Sequence, residues 1–185
     1  LHRVGRVLNV ETRFMWVGTF HSISLRILRA HYEEAGLPKS FQIIDSSEQQ
    51  SLIKRLIKQK GLDEDKFSPR DLQNFINNQK EHGMRASQLS SDGLRSKYWI
   101  ELYLLYEEFC NRDGLVDFTE LLLRCYELLS FNELLRKRYC NQFKHILVDE
   151  FQDTNQLQYK WLQILVGHHN TIFAVGDDDQ SIYSF

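Results

Sequence analysis

Two acidic loops late in the chain hold the residue types that could do chemistry. The apolar run His145-Ile146-Leu147-Val148 ends in Asp149-Glu150-Phe151-Gln152-Asp153-Thr154-Asn155, and 27 residues after Asp149 stands Gly176-Asp177-Asp178-Asp179-Gln180-Ser181-Ile182-Tyr183. A buried strand that delivers two carboxylates to its C-terminal end is how nucleotide-hydrolysing sheets hold Mg²⁺ and position an attacking water. On this reading Asp149 holds a metal through its hydration water, and Glu150 orients or deprotonates the nucleophile. Strand ends also place acids at the solvent boundary for no chemical purpose, so the pair alone does not decide the matter. Asp177, Asp178 and Asp179 would repel one another unless Mg²⁺ or basic side chains stood nearby, although a solvated loop also tolerates them. Gln180 is neutral and both donates and accepts, which suits sensing a phosphate and its water.

Tyr183 and Phe185 lie two apart in a polar stretch. In an extended chain both rings would face one side, as a base-stacking platform requires, and core packing is the competing use for such rings. Thr19, His21 and Ser22 lie where an apolar run meets a helix, so hydroxyls and free backbone N–H groups there suit a phosphate. Ordinary helix capping explains the same hydroxyls.

Elements that would position these groups follow from periodicity. Residues 14 to 20 read as a short buried strand, with a helix from about Ser22 carrying Ile23, Ile27, Leu28 and Ala30 on one stripe. The middle is helical. Ser46 with Gln49 is expected to form a capping box before Leu52, Ile53, Leu56 and Ile57, and Ser68-Pro69 with Asp71 opens a second helix. Residues 84 to 96 read as polar loop, about Leu94 to Cys110 as a long helix, and Asp117-x-x-Glu120 as the cap of another. From His145 the pattern becomes strand, helix (Leu157, Trp161, Leu162, Leu165) and strand (Thr171 to Val175), an alternation that implies a parallel sheet. The fold class is therefore α/β, in which two separated sheet pieces, 1–20 and 144–185, flank a helical insertion, 21–143.

Composition sets the outer bounds. A chain of 185 residues, 42% hydrophobic, can bury a core. No apolar stretch approaches the roughly 20 residues that span a bilayer, and no signal peptide is evident, so a cytoplasmic protein without a membrane partner is expected. Cys110, Cys125 and Cys140 are too widely spaced for a zinc knuckle or redox pair and read as buried or idle thiols. Net charge is −2, yet residues 145–185 hold six acids against one Lys, while in residues 1–30 five Arg face only Glu11. That basic start would suit an anionic polymer or a solvated helix face.

The segments Gly18-Thr19-Phe20-His21-Ser22, Gly114-Leu115-Val116-Asp117-Phe118, Asp149 to Asn155 and Gly176 to Tyr183 occur in an order and spacing that resembles the UvrD/Rep/PcrA group of superfamily 1 DNA helicases. The resemblance covers nearly the whole chain. It implies the later part of a first RecA-like P-loop NTPase motor domain (1A), interrupted by an all-helical subdomain (1B), in an enzyme that uses ATP and Mg²⁺ to move 3′ to 5′ along single-stranded DNA and unwind duplex in repair or replication. It further implies that Asp149 serves Mg²⁺, Glu150 activates water and Gln180 couples the γ-phosphate to DNA. Tyr183 and Phe185 would stack on bases, and Thr19 and His21 would follow the strand's backbone. Implied partners are single-stranded DNA, single-strand/duplex junctions and DNA-repair proteins, with nucleoid association in a bacterium.

Two departures stand out. The group usually has Trp where Phe185 stands, and no Gly-x-x-x-x-Gly-Lys-Ser/Thr phosphate loop occurs in residues 1–185. With its open ends at Leu1 and Phe185 the sequence reads as a piece of a longer polypeptide, unable to hydrolyse ATP alone. A helicase-like chain that binds DNA or a partner without turnover, and a carboxylate-metal nuclease, are the alternative readings. The second is disfavoured because Asp149 and Glu150 are adjacent rather than facing each other across a substrate.

Overall fold

The structure, a computed structural model, describes residues 15–63, 67–91, 93–167 and 170–177. It is a mixed α/β arrangement in which helices dominate and the strands form two short parallel pairs.

Local chemistry starts most helices. Thr19 caps α1 (Phe20–Ala30), its hydroxyl accepting the Ser22 N–H at 3.2 Å, so the helix begins two residues before the expected Ser22. Asp45 and Glu48 form a reciprocal capping box on α2 (Ser46–Gln59), one residue before the expected Ser46–Gln49 pair. Gln49 is instead buried and donates to Asn77 Oδ1 at 2.9 Å. Ser68 and Pro69 open α3 (Pro69–Glu81) as expected. A 3₁₀ turn, Ala86–Gln88, lies within the expected loop before α4 (Leu94–Asp113). Asp117 caps α5 (Phe118–Phe131), and α6 (Glu133–Gln142), which periodicity does not reveal, starts at Asn132.

Strand β1 (Gln42–Ile44) pairs in parallel with β2 (Leu115–Asp117), Ile43 opposite Val116. Between α4 and β2 the chain turns at Gly114, φ +66, where an added Cβ would stand 2.6 Å from Pro38 Cγ; conformation and space both call for glycine. Strands β3 (His145–Val148) and β4 (Thr171–Ala174) pair in parallel with Leu147 opposite Phe173, and α7 (Gln156–Leu165) makes the crossover. That is the predicted β-α-β unit.

The expected strand over residues 14–20 is not formed. Phe14 lies outside the described residues, and residues 15–19 are irregular chain ahead of the helix, with Met15 and Val17 exposed. Among the described residues no strand lies alongside to take up their backbone groups. The aromatic content serves packing instead: the Trp16 ring meets Tyr139 and Phe143 edge-on at 5.9 and 5.2 Å, with Arg26 over it at 3.9 Å.

Two apolar clusters hold the elements. One joins Ile27 and Leu28 of α1, Leu121, Leu122 and Leu129 of α5, Val148 of β3, and Leu157, Trp161 and Leu165 of α7. The other joins Ile53 and Ile57, Leu72 and Ile76, and Tyr103 and Tyr106 from α2, α3 and α4.

A buried ion cluster lies where α3, α4, β2 and α5 meet. Lys80 Nζ reaches Asp117 Oδ2 at 2.6 Å and Glu120 Oε2 at 2.9 Å, and all three residues are buried. Tyr106 donates to Asp117 at 2.7 Å; Arg85 reaches Glu120, Glu107 and Glu127; Arg124 reaches Glu120 at 2.7 Å. Burial works against ionisation of Glu120, but Lys80, Arg85 and Arg124 outweigh it and hold the carboxyl well below its usual range. Burial likewise opposes the Lys80 charge, and Asp117 and Glu120 overcome it and raise the ammonium above its usual value. Desolvation makes such a cluster a weak net stabiliser, yet removing one member strands charges in the interior.

Lys80→Met is therefore expected to lower unfolding free energy by ~3–5 kcal/mol in urea titrations. Because Glu120 is lowered on folding, its contribution is complete above the ordinary carboxylate value of ~4.3 and disappears as pH falls through the folded value. Glu120→Gln should accordingly start less stable and show a flatter loss between neutral and acid pH.

Candidate functional site

The site is built on the C-terminal ends of β3 and β4. Parallel pairing puts both exits on the same edge, and the hydrogen bonds continue past the strands: the Val175 N–H donates to Val148 O at 2.9 Å and the Phe151 N–H to Val175 O at 2.9 Å. Asp149 and Glu150 therefore leave β3 beside the chain that leaves β4, both exposed. Glu150 is the one non-glycine residue among the described residues with a left-handed backbone, φ 51 and ψ 46. Placing an L-residue there costs on the order of 1–2 kcal/mol and turns the chain sharply into the 3₁₀ turn Phe151–Asp153.

Side chains then lock the two exits together. Gln152 Nε2 donates to Glu150 Oε2 at 2.6 Å, and its Oε1 accepts the Asp177 N–H at 3.1 Å. A carboxylate only accepts and a backbone N–H only donates, so the bridging side chain must both donate and accept, as a primary amide does. Gly176 lets this happen: a Cβ there would lie 2.6 Å from Gln152 Oε1 and 3.2 Å from the Gln152 nitrogen. The Glu150 N–H also donates to Asp149 Oδ1 at 3.1 Å.

A second place is the first turn of α1. The Thr19 hydroxyl is engaged as the cap, and Ser22 Oγ donates to Thr19 O at 2.9 Å. His21 is half-buried, its ring edge-on to Phe118 at 6.0 Å, and burial lowers its pKa below 6.5. Phe118 is itself 56% exposed, an unusual state for a large ring next to a candidate binding residue. Asp178, Asp179, Gln180, Tyr183 and Phe185 lie outside the described residues.

Sequence reasoning brought forward Asp149, Glu150, Thr19 and His21 but not Gln152 or Phe118. Both had a signal within reach, since Gln152 stands two residues after Glu150 and Phe118 closes the Gly114–Phe118 segment.

The donor set at the strand ends consists of carboxylates. Among the described residues no group of three His, Cys, Asp or Glu could form an all-protein metal cage. Exposed carboxylate oxygens at a strand end fit Mg²⁺, which takes one or two carboxylates and completes its shell with water and substrate phosphates.

Residues 1–185 match the family described as the UvrD/REP helicase N-terminal domain. The chain belongs to that family. It is 51% identical over 172 residues to DNA helicase II of Haemophilus influenzae, covering 92% of this chain and 24% of that protein. Over its full length it is 47% identical to DNA helicase II of Escherichia coli K12, 26% of which is covered. Identity to the ATP-dependent DNA helicase Rep of the same organism is 37%, covering 99% of this chain and 28% of that one. The chain thus spans about a quarter of the length of these curated relatives. For this UvrD/REP-type chain, among the described residues, no helix is long and apolar enough to cross a membrane.

The His21 environment gives a direct test. Its imidazole should titrate below 6.5 by NMR, leaving it neutral at physiological pH, and Phe118→Ala, which admits water, should move the midpoint back toward 6.5.

Proposed function

We propose that this chain is the later part of the first motor domain of an ATP-dependent DNA helicase that translocates 3′ to 5′ on single-stranded DNA. Support comes from family membership together with one observation: β3 and β4 run in parallel, so the Asp149–Glu150 pair and the Gly176–Asp177 turn emerge side by side. A nucleotide site at the carboxyl ends of parallel strands is the general expectation for open α/β sheets.

In this reading residues 1–20 and 144–185 contribute to the RecA-like domain and residues 21–143 form its helical insertion. The exposed apolar residues of the β3–β4 pair, Leu147, Phe173 and Val175, suit a sheet continued and covered by the remainder of a longer polypeptide. The phosphate loop would lie in that remainder, so the 185 residues would not hydrolyse ATP alone.

Each residue has a distinct task. Asp149 would hold Mg²⁺ through water, and the ion when bound would neutralise charge developing on the transferred phosphoryl group. Glu150 would accept the proton of the attacking water, its backbone held in position by the left-handed turn. Gln180 would contact the γ-phosphate and report on DNA. Tyr183 and Phe185 would stack on bases, each stacking contact contributing ~1–3 kcal/mol. Thr19 and a neutral His21 would hydrogen-bond along the phosphate backbone, adding position rather than sequence preference. Single-stranded DNA and its junctions with duplex are the proposed substrates, repair proteins the proposed partners, and the cytoplasm, at the nucleoid in a bacterium, the proposed location.

Phosphate release by the full-length parent, followed with and without single-stranded DNA, tests this. Wild type should be stimulated by DNA, and Glu150→Gln should lose roughly 10²–10⁴ of the stimulated rate while still binding nucleotide. A folded wild type that binds DNA without stimulated turnover would replace the motor reading with a binding role.

A further inference from the structure

We propose that the groove where α1 ends and α5 gives way to α6 docks a segment of a partner protein whose apolar side chains are flanked by Lys or Arg. This surface is independent of the reading of the β3–β4 edge. The groove, with a volume of about 1010 Å³, lies between the turn after α1, the helix α4 and the α5–α6 junction.

Its apolar half is Phe131 and Leu134. At 87% and 82% they are the most exposed large hydrophobic side chains among the described residues. The junction itself does not call for them: Asn132 caps α6 by accepting the Leu135 N–H at 3.1 Å, and it is Leu135, not Leu134, that enters the core. Both sit on helices, so they offer no strand edge for the sheet of a longer polypeptide to extend, unlike Leu147 and Phe173. Leu104 of α4, 36% exposed, adds a third apolar contact to the lining.

Charge decides the class of occupant. Five of the lining side chains are Glu and two, Arg85 and Arg124, are basic. Both arginines are already committed, Arg85 to Glu107, Glu120 and Glu127 and Arg124 to Glu120. Arg136 donates to Leu129 O and Ser130 O and so serves the end of α5. Glu133 meets Lys137 at 2.8 Å in an exposed pair that water and salt screen. Glu34 faces only His31, at 3.5 Å, and the exposed Glu108 has no ion pair among the described residues. Such a surface repels DNA phosphates and an anionic lipid face alike, and a twofold contact between two copies would set carboxylate against carboxylate. A polypeptide segment with apolar side chains for Phe131, Leu134 and Leu104, and with Lys or Arg for Glu34, Glu108 and Glu133, matches both halves. Its seat is also clear of the first turn of α1: the 14-residue α5 is ~20 Å long, with Phe118 beside His21 at one end and Phe131 at the other.

The experiment titrates the full-length parent, by fluorescence anisotropy, with two short synthetic amphipathic helices, one of Leu and Lys and one of Leu and Glu. The Leu/Lys helix should bind and the Leu/Glu helix should not. Hydroxyl-radical footprinting should find Phe131 and Leu134 reactive in the parent alone and shielded once the Leu/Lys helix is added. Phe131→Ser combined with Leu134→Ser should weaken binding about tenfold, the scale of losing a buried apolar anchor, and leave the thermal unfolding midpoint unchanged. Glu108→Lys, which keeps both anchors, should weaken binding at low salt and lose that effect as salt rises. Absence of binding, equal affinity for wild type and both variants, or equal binding of the two helices overturns the proposal. So does shielding of Phe131 and Leu134 in the peptide-free parent, which would show that the parent's own remaining residues fill the groove.

Discussion

Parallel pairing of β3 with β4 is the constraint on which the site depends. It fixes which chain ends meet: with His145 opposite Thr171 and Val148 opposite Ala174, the exits carrying Asp149–Glu150 and Gly176–Asp177 have to fall on the same edge. An antiparallel pair would send the two acidic loops to opposite ends. The left-handed Glu150, the Gln152 bridge and the close approach of Gly176 are consequences of that juxtaposition, each adding precision to a meeting the register already requires. α7 makes the parallel connection, and its buried Leu157, Trp161 and Leu165 seat it in the same cluster as Val148.

The surrounding helices are held by two different physical means. Around Ile27, Leu121, Leu129 and Trp161 the packing is apolar and tolerant of small shifts. Around Lys80, Asp117, Glu120 and Arg85 it is ionic, and there geometry is unforgiving because each buried charge needs its partners. Asp117 serves twice, capping α5 through the Glu120 N–H at 2.8 Å and receiving Lys80 and Tyr106 on its other oxygen. Helix start, strand end and helix-to-helix registration thus converge on one carboxylate, which ties α3 and α4 to α5. α5 also lies against α1 and α7, so the ionic region adjoins the core that seats the β3–β4 edge.

Much of this was legible in sequence where the signal is local. The β-α-β unit and the caps at Ser68 and Asp117 follow from periodicity and from side chains acting on backbone three residues away. Where the fold departs, long-range partners decide. Ser46-x-x-Gln49 and Asp45-x-x-Glu48 fit the box pattern alike, and Gln49 goes to the interior because Asn77 and Gln73 wait there. The run around Trp16 has a strand's composition but no neighbouring strand, so its aromatics pack on Tyr139 and Phe143. Three-residue strands such as Gln42–Ile44 are too short to show a period, and the partners of Lys80 lie 37 and 40 residues away with nothing local to announce them. At the candidate site, the position of Asp149 and Glu150 just past a strand end was legible in the acidic pair that follows the apolar run. Gln152 was not, because its role exists only once Asp177 is alongside.

We propose that the edge formed by β3 and β4 works on Mg²⁺-bound ATP. A structure of the full-length parent with Mg²⁺, a non-hydrolysable ATP analogue and single-stranded DNA tests it most directly. Expected there are a water between the Glu150 carboxylate and the γ-phosphate, within hydrogen-bonding reach of ~2.6–3.2 Å, and Mg²⁺ water-bridged to Asp149. Nucleotide bound elsewhere, with Glu150 facing solvent, would contradict it.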